Sequence, residues 1–68
     1  MMANMNIIQA RKVVTIAYEL LLDRSPDRSG LNYWSNKLSS GEINENDLIY
    51  SLITSSEYQK NKKKRMVK

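Results

Sequence analysis

The chain has no cysteine, no histidine and no phenylalanine. Without cysteine, no disulfide can staple it and no thiolate can hold zinc. Without histidine, it lacks the commonest metal ligand and the commonest general base. One proline and two glycines are spread over 68 residues, and no stretch alternates strictly between polar and apolar. Both facts argue for helices rather than strands. No apolar run exceeds three residues, Leu20-Leu21-Leu22 being one. A transmembrane helix needs about 20 such residues and a signal-peptide core about 7–15, so neither is expected.

The chemistry of enzymes is thinly represented. Asp23, Asp27, Glu42, Glu45 and Asp47 do not fall at calcium-loop spacing. There is no glycine-rich phosphate loop and no nucleophile–base pairing. A catalytic Ser–Lys arrangement needs a buried lysine, whereas most lysines here crowd into one solvated run. The expectation is a non-enzymatic protein with no cofactor and no metal.

What is present is a modest apolar fraction, 41%, enough for a small core and too much for a disordered chain. A chain of this size buries only about 60% of its unfolded surface, so stability rests on apolar packing or on a partner. The net charge of +4 comes from 11 basic and 7 acidic residues. Lys60, Lys62, Lys63, Lys64, Arg65 and Lys68 supply six of the basic residues with no acid among them, leaving five basic against seven acidic residues in positions 1–59. The body is therefore slightly acidic, and the basic character belongs to the C-terminal run. The division expected is a helical domain over 6–59 and a basic tail or helix extension over 60–68.

The pattern predicts an all-α bundle of three to four helices around a central first helix. Over 6–22, Ile7, Ala10, Val14, Ala17, Tyr18 and Leu21 fall on one arc at about 100° per residue. Val13, Ile16 and Leu20 widen the arc on one side and Leu22 on the other. A helix apolar over most of its circumference is expected to be packed on several sides. A second helix is expected to start at Ser25 as N-cap, with Pro26 in the first helical position and Asp27 near the positive end of the dipole. Leu31, Trp34 and Leu38 form its stripe, and Gly41 can end it in a left-handed conformation. Gly30 costs about 0.5–1 kcal/mol relative to alanine in a helix, which a close contact with the first helix would explain. A third helix starts at Asn44, with Leu48, Ile49, Leu52 and Ile53 as its buried face. Asp47 stands at the capping-box position but is shorter than the usual glutamate, so a reciprocal bond is not assured. Thr54-Ser55-Ser56-Glu57 matches a capping box for a fourth helix anchored by Tyr58. Beyond Tyr58 the run is nearly all lysine, with no apolar stripe, and is expected to fray unless something holds it.

Tyr18-Glu19-Leu20-Leu21-Leu22-Asp23-Arg24-Ser25-Pro26-Asp27, continuing into Gly30-Leu31-Asn32-Tyr33-Trp34, Leu38, Gly41 and Ser56-Glu57-Tyr58, resembles a bacterial and phage domain of unknown function. That domain has the pattern Tyr, Leu-Leu, Arg, Pro-Asp, Gly-Leu, Tyr-Trp, then Ser-Gly and a late Ser-x-Glu-aromatic. The likeness covers roughly residues 14–59. More distantly, the pattern is similar to the helical repeat of phycobilisome linker proteins. The resemblance implies a helical interaction module, of a kind appended to secreted, surface and calcium-repeat proteins and also found in phages. The present sequence carries one copy with a lysine run and no calcium-repeat segment. Its short, lysine- and asparagine-rich character suits a small phage protein. With no signal-peptide pattern, a cytoplasmic or virion-associated location is the expectation.

The residues singled out divide into structural and partner-facing sets. Ser25, Pro26, Asp27, Leu31, Trp34, Leu38 and Gly41 are expected to build the second helix and its ends. An Arg24–Asp27 pair could lock the corner, or Arg24 could cap the first helix. Tyr33 lies opposite the Leu31–Trp34–Leu38 stripe, and Tyr50 opposite Leu48–Leu52. Either these rings lie over neighbouring helices with their hydroxyls in water, or they are anchors for a partner. The basic run, with Tyr58, has three readings: a solubilising tail, an arm for nucleic-acid phosphates with Tyr58 stacking on bases, or a contact for an acidic protein surface. Met66 and Val67 are too little to anchor it on a membrane. The leading expectation is a protein partner or a homo-oligomer within a larger assembly such as a virion. The alternative is a small nucleic-acid-binding protein acting through the tail.

Overall fold

The computed structural model describes residues 5–60, and Lys62, Lys63, Lys64, Arg65 and Lys68, with whatever holds or frays them, lie outside these. The domain is small and all-α. Helix α1 spans Ile7–Ala17 and runs directly into a π-helical turn, Tyr18–Leu22; α2 spans Arg28–Ser40 and α3 spans Glu45–Ile53. A further helical stretch occupies 56–60. Helix α2 packs along α1, and α3 packs on α1 and on its π turn, so α1 is the central element.

The core consists of Ala10, Val14, Ala17, Tyr18 and Leu22 from the first helix, Leu38 from α2, and Leu48 and Leu52 from α3. Met5, Val13, Leu21, Leu31, Trp34, Ile43 and Tyr58 pack around it, partly buried. Trp34 is thus a core neighbour rather than its centre. The wide apolar arc of α1 is not packed on several sides. Ile7, Ile8, Ile16 and Leu20 stay exposed because two partner helices cover only one side of it.

The π turn alters the register at the end of the first helix. A wider turn holds more residues per revolution, so each residue after Ala17 falls short of its α-helical angle. Leu22, placed by 3.6-residue periodicity at the edge of the arc, swings into the core, while Leu21 is left partly buried. The helix stops at Asp23, which adopts a left-handed conformation with φ 62°. Aspartate tolerates that region better than most residues.

Asp27, not Ser25, caps α2. Its carboxylate accepts the Gly30 amide at 3.2 Å while its own backbone is extended. Pro26 consequently precedes the cap instead of opening the helix. Aspartate accepts as well as serine at this position, and the Ser25 carbonyl is engaged by Arg24 Nη1 at 3.0 Å. At the other end Gly41 takes φ 83°; its amide bonds the Leu38 carbonyl and the Glu42 amide bonds the Lys37 carbonyl. This paired arrangement is the Schellman motif expected of glycine after a helix.

At α3 the short aspartate suffices. Asp47 Oδ2 accepts the Asn44 amide at 3.1 Å while Asn44 Oδ1 accepts the Asp47 amide at 2.9 Å, so the capping box closes in both directions. Leu48 and Leu52 are buried, but Ile49 is 42% exposed. It turns along α3 toward the exposed face of α1, which no other described helix covers. The last helical stretch is capped by Ser55, whose Oγ accepts the Tyr58 amide at 3.2 Å. Thr54 instead donates its hydroxyl to the Tyr50 carbonyl, and Glu57 is drawn away from the expected box by a distant partner.

Candidate interaction surface

That partner is Arg24. Its Nε and Nη2 donate to Glu57 Oε2 and Oε1 at 2.6 and 2.9 Å, a two-pronged pair across 33 residues of sequence. The guanidinium also lies 5.2 Å from the centre of the Tyr18 ring, within cation–π range. The hydrogen bonds from Arg24 hold the Glu57 carboxyl below its ordinary range, and the same pairing raises Arg24. Neither expected role of Arg24, pairing with Asp27 or capping the first helix, is what the side chain does. It clasps the start of the last helical stretch to the corner between the first two helices. Nothing in the local sequence signals this pair, because it is a product of chain return.

The tyrosines are not brought together. Tyr33 is 54% exposed on α2, with its ring edge-on to Trp34 at 4.9 Å and Lys37 Nζ 5.1 Å from its centre. Tyr50 is 67% exposed on α3. Both face outward, as their opposition to the buried stripes implies. Tyr58 differs: it packs against the core, which leaves its ring less available for stacking on a base. Lys60, the last described residue, is exposed.

The feature that tyrosine-centred reading missed is aliphatic. Val13, Ile16, Ala17, Leu20 and Leu21 from the first helix and Ile49 from α3 line a groove of about 260 Å³, with Glu45 at its margin. Leu20 is 72% and Ile16 54% exposed. The sequence did contain the signal, in the breadth of the apolar arc. A larger cleft beside the α2–α3 corner is lined by Met5, Leu38 and Ile43 together with Glu42, Glu45 and Asp47. Among the described residues, however, no three carboxylates gather closely enough to hold a metal ion. Among them also, no helix is long and apolar enough to cross a membrane.

Residues 5–62 match the family model of the domain of unknown function DUF4214. The chain belongs to that family. Nothing among curated proteins, and nothing among solved structures, matches it. The DUF4214 span takes in every helix described above, together with the Arg24–Glu57 clasp and the α1–α3 groove.

Proposed function

We propose that this DUF4214 domain is a non-enzymatic helical interaction module, a structural or accessory component of a larger assembly such as a phage virion. The observation that carries the reading is the aliphatic face formed by Ile16, Leu20 and Ile49, exposed among the described residues. A domain with so small a core would gain much by burying those side chains, and contiguous exposed apolar surface is what interaction sites present. Tyr33 and Tyr50 add amphipathic anchors elsewhere on the surface. The distant likeness of the sequence pattern to phycobilisome linker repeats, themselves assembly modules, supports the same reading.

A rival reading assigns binding to nucleic acid through the lysine-rich run. Six positive charges favour any polyanion through counterion release. The packing of Tyr58 against the core counts against base stacking as part of it. A pull-down from the native host followed by mass spectrometry, with the full chain, a chain ending at Gln59 and Leu20→Arg, separates the two. Body-mediated assembly predicts that the partner survives removal of the tail and is lost with Leu20→Arg. Nucleic acid recovered only with the intact tail, still held near 0.15 M salt where screening acts over about 8 Å, would replace this reading with the rival.

A further inference from the structure

We infer that the partner on the α1–α3 face is a second copy of this chain, related by a two-fold axis, with the first helices antiparallel. The inference rests on the interaction-module reading above and names its partner. Val13, Ile16 and Leu20 are spaced three and four apart, the spacing of a helix–helix seam. Val13 is partly buried, while Ile16 and Leu20 stand open to solvent. Ile49 of α3 borders the same groove.

The charges beside this seam are self-complementary. Lys12 and Glu19, both exposed, lie seven residues apart, a little under two turns because Glu19 sits in the wider π turn, and stay on the same flank of the stripe. When two such helices run antiparallel about a point near Ile16, that residue meets its own copy and Val13 meets Leu20 of the other chain. Lys12 of each then approaches Glu19 of the other. A two-fold axis makes each contact occur twice. One chain therefore carries both halves of the recognition pattern, which an unrelated partner would have to match separately. The groove edge contributed by Ile49 lets the second helix sit in a shallow trough instead of on a single ridge. Ile16, Leu20 and Ile49 are the exposed large apolar side chains of this face, far fewer than the roughly 20–30 residues a side of a standard stable interface, so a weak, concentration-dependent dimer is expected.

Sedimentation equilibrium of the full chain, up to about 1 mM where even weak association registers, tests the inference. The average mass should rise toward the dimer with concentration, and Leu20→Arg should hold it at the monomer while helical circular dichroism is retained. Lys12→Glu and Glu19→Lys singly should each weaken association by about 2- to 30-fold, the effect of two surface-strength ion pairs. The double exchange, which restores opposite charges across the axis, should recover it. A monomer throughout the concentration range overturns the inference, as does a double exchange no better than the single variants. If the chain is monomeric yet still captures a host protein in a Leu20-dependent manner, self-association fails while the interaction-module reading stands.

Discussion

Replacing Gly30 with alanine sets helix propensity against a crowded corner. Gly30 is the third residue of α2, and alanine there should favour the helix by about 0.5–1 kcal/mol. A methyl built at this position, however, would lie 2.7 Å from Asp27 Oδ1 and 3.0 Å from Tyr18 Oη. Asp27 can withdraw only by loosening its cap on the Gly30 amide, and an N-cap is worth about 0.5–2 kcal/mol. Tyr18 is buried in the core, so its hydroxyl cannot move without tilting the whole ring. The cap and the ring together outweigh the propensity gain, and Gly30→Ala is expected to cost about 1 kcal/mol net. For a domain of this size that corresponds to a melting-temperature loss of about 4–8 °C, followed by circular dichroism. Backgrounds separate the causes. With Asp27→Ala the same substitution should become neutral or favourable, and with Tyr18→Phe its cost should shrink. A Gly30→Ala variant that melts above the parent, or a cost unchanged in both backgrounds, would refute the steric argument.

The remaining expectations address the core and the clasp. Ser35 is fully buried and its hydroxyl has no hydrogen-bond partner among the described residues; Ser35→Ala should raise stability by up to about 1 kcal/mol in urea melts, because an unsatisfied polar group is removed from the core. Leu48, also fully buried, should cost about 2–5 kcal/mol when replaced by alanine, enough to unfold much of the population, whereas partly buried Trp34 should cost no more than about 3 kcal/mol. Both side chains of the Arg24–Glu57 pair are more than a third exposed, so Glu57→Gln should cost only about 0.2–1 kcal/mol. Because Glu57 is held below its ordinary range in the fold, the pair's contribution is present above about pH 4.3 and fades as pH falls through the lower folded value. The variant and parent should therefore converge in stability at acid pH, and a difference that persists there would show that the pair is not the source.

Much of the local architecture was legible in residues alone. Asn44 and Gly41 act through their own backbone neighbourhood, and α-helical periodicity placed Ala10, Val14, Leu38, Leu48 and Leu52 inward. The outward aspect of Tyr33 and Tyr50 followed from the same periodicity. These are short-range properties, set within one or two turns. Three outcomes needed the assembled fold. Asp27 prevailed over Ser25 as a cap where Arg24 engages the Ser25 carbonyl. The π turn exchanged the places of Leu21 and Leu22, a change of register invisible to a 3.6-residue wheel. Glu57 abandoned its local capping role for Arg24 because chain return brought a guanidinium within reach. The candidate surface was half legible: the sequence showed the breadth of the apolar arc on the first helix, but that breadth pointed to packing on several sides and not to an open face. Which side stayed open depended on where α2 and α3 came to rest, because packing against one arc leaves the opposite flank, with Ile16 and Leu20, to solvent or to a partner.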